Sequence, residues 1–313
     1  MSADAIAEVL QAPPRAHVCG TVGDWWPRWV SVAARHRTSI DRAIAGGCDA
    51  DRLGWAFAAG YQAALRALLP SLPDDVVAAL CVTEAEGNHP KAIRTTLSVD
   101  GTGFRVHGEK RWTTLGPDGG LFIVIAREVG SREERPSLKA MLLRLGTAGL
   151  SVLPMSPTRF VPEVPHARIR LERVRVESAA VLAGDAYERY VKPFRTIEDI
   201  HVHAGTLAYL LAEARARNWP AAWIERAAAA LHALARLATL EPLAPATHIA
   251  LAGALAIGHG LIEEAERYWA ERDDVPARRW QRDRELLGVA GSARERRLAA
   301  AWQQVDAKDG TVA

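Results

Sequence analysis

A chain of 313 residues, 49% hydrophobic and 24% charged, is close to the average for soluble globular proteins and long enough for one large domain or two to three smaller ones. That balance excludes collagen-like, coiled-coil and fully disordered architectures. With 39 Lys and Arg against 37 Asp and Glu, the net charge of +2 gives no bulk electrostatic case for binding nucleic acid or a membrane surface. Cys19, Cys48 and Cys81 are scattered without a CxxC pair. That spacing argues against a disulfide framework or structural zinc and for a reduced, cytoplasmic setting. The N-terminus carries acids and lacks a basic-then-apolar signal pattern.

In chain order, residues 1–77 read as a helical segment. Residues 54–69 place apolar side chains at helical spacing, and Trp25, Trp26 and Trp29 belong to an earlier amphipathic stretch. Residues 72–75, LPDD, read as a turn and an acidic helix start. From 78 to 185 the texture is strand, in eight short runs that include FRVHG and KRWTT. Turn-forming stretches separate them, and the charged VGSREERPS at 129–137 reads as an exposed hairpin loop. Runs at this spacing suggest a β-sandwich or barrel-like domain. From 186 to 313 the chain is Ala- and Arg-rich, and four helical runs are punctuated by Pro220, Pro242, Pro245 and Pro276. Residues 244–262 are the nearest approach to a membrane span, but prolines, glycines and two histidines favour a buried helix of a soluble core. The fold class is therefore α+β and multidomain: a helical N-terminal segment, a middle β domain and a C-terminal helical bundle.

Glu198 is the carboxylate that stands out. On a helix it shares a face with Val202, Gly205 and Tyr209. A carboxylate on an apolar face, with a glycine nearby, can lie against a ligand and take up protons at raised pH. The plain alternative is a helix-start acid favoured by the macrodipole, with Asp199 beside it. His201 and His203 point to different faces, and Asp199 with His203 reads as an ordinary i,i+4 pair, so no metal site is expected. Trp112 is the only one of ten tryptophans in the β block, and by itself it reads as a packed core residue.

Three stretches in order carry a resemblance to the acyl-CoA dehydrogenase family. LCVTEAEGNHP at 80–90 is similar to the family's strand-end signature, with Cys81, Val82, Thr83, Glu84 and Gly87 in register. VHGEKRWTTLGPDGGLFIVIARE at 106–128 and ARIRLERVRVESAAVLAGD at 167–185 resemble the next two. The resemblance implies a β domain between two helical domains and FAD at their junction. It implies that Val82, Thr83, Trp112, Thr113 and Thr114 bind the flavin, with Thr114 near N5. It also implies an acyl-CoA thioester as substrate and α,β-dehydrogenation.

The family's C-terminal glutamate position holds Ala290 or Gly291, neither able to take a proton. The alternative base position of the family, on the first helix after the β domain, holds Glu198, although Asp199 stands where an arginine is usual. The N-terminal helical part is also short, and Arg215 to Pro220 replace the arginine motif for the FAD pyrophosphate. Three readings follow. One is a trimmed FAD-dependent oxidoreductase with Glu198 as base. Another is a catalytically degenerate or half-site subunit of a heteromeric complex. A non-dehydrogenase flavin member is a third. The Ala-rich bundle faces imply a homodimer or a hetero-oligomer with a paralogue.

Overall fold

The computed structural model describes residues 4–13, 15, 17–132, 136–289 and 291–309. The chain forms two compact units: a helical one of residues 1–67, 159–161 and 195–313, and a β-rich one of 68–158 and 162–194.

The helical unit opens with α1 (Ala5–Gln11), α2 (Val22–Ala33), α3 (Ser39–Asp49) and α4 (Leu53–Leu68). Thr21 starts α2 through a capping box with Asp24, and the Thr38 hydroxyl caps α3 at Asp41 N. Trp25 of α2 stacks on Trp55 of α4 at 5.1 Å, and Trp29 is buried beside it. The later helices are α5 (Lys192–Ala216), α6 (Ala221–Leu237), α7 (Pro245–Ala270), α8 (Val275–Asp283) and α9 (Gly291–Asp309). The stretch 282–304, read from sequence as one helix, is therefore two. A 3₁₀ turn at Arg284–Gly288 separates α8 from α9, and the glycines at 288 and 291 weaken any continuous helix.

Only one face of α7 is buried. Leu251, Leu255, Gly258, Leu261 and Ala265 face inward, whereas Ala250, Gly253, Ala256, Ile257 and Gly260 are exposed. Its most apolar 18-residue stretch is 33% buried, so the buried helix read from sequence is, in this chain, buried along one face only. By length and composition alone, α7 is long and apolar enough to cross a membrane.

Close backbone contact sets the arrangement around α5. A Cβ at Gly47 of α3 would stand 2.1 Å from the Gly205 carbonyl of α5, and one at Gly60 of α4 would stand 2.7 Å from the His201 carbonyl. A Cβ at Gly205 would itself meet the Ala56 carbonyl at 2.8 Å. The α5 face carrying Val202, Gly205 and Tyr209 is thus filled by α3, α4 and α8, with Tyr209 stacked on Trp280 at 6.3 Å. Gly205 serves helix packing there and not the approach of a ligand, as the sequence had suggested.

Among the described residues the β unit holds seven strands in one mixed sheet, ordered β1-β4-β2-β3-β7-β6, with β5 on β4. They are β1 (Ala78–Cys81), β2 (Thr96–Asp100), β3 (Gly103–Thr114), β4 (Leu121–Glu128), β5 (Leu138–Arg144), β6 (Leu150–Pro154) and β7 (His166–Val176). No helix follows LPDD, because the chain turns there directly into β1. FRVHG and KRWTT are one strand, β3, and not two. Register shifts at Val106/Gly108 and Lys110/Thr113 break its alternation into what read as separate runs. β4 reads as an unbroken apolar run because Leu121 to Ala126 are all buried, between parallel β1 and antiparallel β5. The hairpin expected at 129–137 does join β4 to β5, and residues 133–135 of it lie outside the described residues.

The glycine contacts give a paired prediction. Gly47→Ala should cost about 3 kcal/mol or more, since the added methyl meets backbone that cannot yield. Gly253→Ala, whose Cβ would meet nothing within 4 Å, should gain about 0.5–1 kcal/mol from helix propensity. Urea unfolding of the two variants measures both signs.

Candidate functional site

The first cluster lies in the β unit, where β1 ends against β3. Lys110 sits at a core position of β3, fully buried. Its ammonium donates to Glu84 Oε1 at 2.5 Å and to the Val82 carbonyl at 3.3 Å. Burial pushes its pKa below the usual lysine range, with Glu84 opposing. Glu84 also accepts from the backbone of Arg94 at 2.7 Å and of Thr95 at 3.1 Å. A tight turn closes Glu84 onto Gly87, whose φ of +112° suits glycine. Arg111 N donates to the Thr83 carbonyl at 2.8 Å. Val82, Thr83 and the 111–114 segment are thereby held side by side.

Trp112 occupies the second bulge of β3, with φ of +57° and 54% of its surface exposed. A left-handed tryptophan inside a strand is strained by about 1–3 kcal/mol, and such strain concentrates at functional positions. The bulge turns the indole outward, against the edge of His166 at 6.1 Å. The packed-core alternative for Trp112 is thus set aside by its exposure. Thr113 points the other way: it is buried and its hydroxyl donates to Cys81 Sγ at 3.7 Å. Thr114 is half-buried opposite His166 of β7.

The second cluster lies on α5 in the helical unit. Glu198 is half-buried. Desolvation first, then the neighbouring Asp199 charge, push its carboxyl up to about 8, against the pull of Arg294 and Arg195. The expected Asp199–His203 side-chain pair does not form. Asp199 binds Arg294 at 2.8 Å and Arg297 at 2.5 Å, both from α9, and His203 Nδ1 instead donates to the Asp199 backbone carbonyl at 2.8 Å. His201 donates through Nδ1 to the Ile197 carbonyl at 2.7 Å, leaving Nε2 to accept from Ser39 at 2.9 Å. Burial pushes both imidazoles down to about 4. No group of three or more metal-ligating side chains occurs among the described residues. Ala290, the substitute at the other base position, lies outside the described residues. Sequence reading missed the Lys110–Glu84 clamp and the α9 arginines. For Lys110 a signal existed: it shares the core register of β3 with Val106, and a buried lysine calls for a carboxylate.

Arg217, within the stretch that replaces the pyrophosphate motif, is already engaged. It bonds Glu213 at 2.6 Å and Asp274 at 2.7 Å, with its guanidinium 4.8 Å from the Trp269 ring centroid.

Residues 79–174 match the family model for the acyl-CoA dehydrogenase middle domain. Over 121 residues, 38% of this chain, the sequence is 28% identical to the probable acyl-CoA dehydrogenase FadE10 of Mycobacterium tuberculosis. The match spans 19% of that relative's length. Among solved structures, butyryl-CoA dehydrogenase from Megasphaera elsdenii is similar with a TM-score of 0.66 and 15% identity, over 84% of this chain and 82% of that one. The FAD complex of PigA is similar with a TM-score of 0.67 and 14% identity, over 96% of this chain and 92% of that one. Residues 79–174 thus match the acyl-CoA dehydrogenase middle domain, and the chain's fold is similar to that of solved acyl-CoA dehydrogenases.

Two predictions follow. Lys110→Met should cost about 3–5 kcal/mol in urea unfolding, because it strands the buried Glu84 carboxylate. His201 and His203 have depressed values, so the unfolded chain binds more protons than the native one between pH 6.5 and about 4. Stability should therefore fall as pH drops through that window. Glu198 acts oppositely: its raised value makes stability fall as pH rises from 4.5 to about 8. Glu198→Gln should flatten the second slope and leave the first.

Proposed function

We propose that this chain is an FAD-dependent oxidoreductase that dehydrogenates an acyl-CoA thioester between its α and β carbons, with Glu198 as base. The half-buried carboxylate on α5, with its raised pKa, carries this reading. Support for the cofactor comes from the β unit, where the outward Trp112 beside the fixed Val82–Thr83 edge offers a flat ring surface with backbone groups along it. FAD supplies hydride acceptance from the substrate β-carbon. Trp112 and Thr114 would lie along the flavin ring, and Val82 and Thr83 along its pyrimidine edge. Thr113 would contribute backbone only, since its hydroxyl is taken by Cys81.

Glu198 would take the α-proton of the thioester onto its carboxylate. With a value of about 8, roughly a tenth of the carboxyl is ionised at pH 7, and a base near neutrality is well matched to proton transfer. The three free cysteines support a reducing, cytoplasmic setting. The exposed small-residue face of α7 supports a homodimer through the bundle.

A second reading is favoured by Arg217. Its engagement by two carboxylates leaves it a poor partner for a pyrophosphate, which fits a half-site subunit completed by a paralogue.

The test is spectroscopic. The purified chain should carry flavin absorbance that bleaches anaerobically with an acyl-CoA. Glu198→Gln should slow bleaching by about 10²–10⁴-fold and leave flavin content unchanged. Trp112→Ala should weaken flavin binding. A colourless protein that takes up no FAD would support the half-site reading instead.

A further inference from the structure

β3 and β7 pair through two bulges, and each adds a side chain to the solvent face of the sheet. Between the pairs Lys110–Ile169 and Thr113–Ala167, β3 carries Arg111 and Trp112 against the single Arg168 of β7. Between Gly108–Leu171 and Val106–Val174, β7 carries Glu172 and Arg173 against the single His107, and Arg173 is left-handed at a φ of +51°. The result is a row of arginines whose charge is well matched at one end only. There Arg105 lies 2.7 Å from Asp100 and Arg175 3.1 Å from Glu177. At the Trp112 end one carboxylate serves three guanidinium groups: Glu109 stands 3.4 Å from Arg111, 3.8 Å from Arg168 and 4.0 Å from Arg170. Arg170 is also 4.0 Å from Glu172, and the β6 residues opposite Arg168 and Arg170 are the uncharged Leu153 and Ser151. The three arginine side chains are 41%, 40% and 48% exposed. Long, exposed pairs of this kind contribute little, so these guanidinium groups can turn to a better anion.

We propose that this end of the sheet face is a nucleotide site, with the ligand's ring system against Trp112 and its phosphate on Arg168 and Arg170. Trp112 supplies an exposed aromatic surface that the bulge holds outward. Arg168 is across from it on β7, and Arg170 lies about 7 Å further along, at a strand rise of about 3.3 Å per residue. That span suits the sugar or sugar alcohol that separates ring from phosphate in a nucleotide. A guanidinium fork matches two phosphate oxygens at once, a geometry that Glu109, shared among three arginines, does not offer. A flavin nucleotide and the adenine nucleotide of coenzyme A share this chemistry. The site is independent of Glu198 and of the reaction proposed above.

The test is calorimetric titration of the purified full chain, dialysed to remove bound nucleotide, with riboflavin, FMN, ADP and coenzyme A. FMN should bind more tightly than riboflavin, which lacks the phosphate. Arg168→Gln and Arg170→Gln should each weaken FMN by about 10-fold and leave riboflavin unchanged. Glu109→Gln, which removes the competing carboxylate, should tighten FMN. Arg105→Gln, on the same face but held by Asp100, should alter neither ligand. The substituted arginines are partly exposed, and an unchanged Tm shows that the variants fold. If ADP and coenzyme A bind, lose affinity in the same two variants, and the flavins do not bind, the occupant is an adenine nucleotide. The flavin placement on Trp112 then falls and the nucleotide site stands. Phosphate-bearing probes that bind the parent and both variants equally, FMN that binds no tighter than riboflavin without binding of ADP or coenzyme A, or no binding by any probe, each overturn the proposal.

Discussion

The helical unit is organised by contact between bare backbones. Gly47 of α3, Gly60 of α4 and Gly205 of α5 lie where no Cβ could be placed without meeting a carbonyl or main-chain atom below 3 Å. Dispersion attraction falls off steeply with separation, so such approach gives α5 close-packed neighbours along its length. It also fixes which α5 face is taken up by packing. Val202, Gly205 and Tyr209 are committed to packing, while Glu198 and Asp199, in the second turn of the helix, are its nearest acidic residues. The histidines are tied into the same frame, His201 to Ser39 of α3 and His203 to the α5 backbone.

The β unit uses a different device for a related end. A sheet strand presents alternate side chains to opposite faces, so a buried Lys110 followed two positions on by an outward Trp112 needs a break in register. β3 supplies two breaks, one at Gly108 and one at Trp112. The buried Lys110–Glu84 pair stands between them and holds the end of β1 against the bulge. Replacing such a pair by apolar residues is often neutral for stability, so its value here is positional: it binds the Val82 carbonyl and orders the 84–95 loop through two backbone amides. Strain at Trp112 is sustained by these contacts.

Charge placement distinguishes the two clusters. In the β unit a lysine and a glutamate neutralise each other in the core. On α5, Glu198 makes no ion pair among the described residues, while the adjacent Asp199 makes two. A carboxylate that is desolvated but incompletely compensated is kept near neutrality in its proton affinity, whereas its paired neighbour serves as an anchor.

The sequence by itself determined the order of helical, strand and helical texture, the carboxylate on α5 and the tryptophan of β3, because periodicity, turn residues and local motifs are properties of adjacent residues. It marked Glu198 and the 82–84 and 112–114 segments without contact information. Tertiary structure decided the rest. Whether Gly205 faced a ligand or another helix depended on Gly47, more than 150 positions earlier in the chain. Whether Asp199 paired with His203 or with α9 depended on arginines 95 and 98 positions away. The 3₁₀ break between α8 and α9, and the merging of two strand-like runs into β3, depended on register and packing that no short window contains. Local pattern says which residue types are available, and only the packed chain brings distant charges and bare backbones within a few ångströms, where their energies decide the outcome.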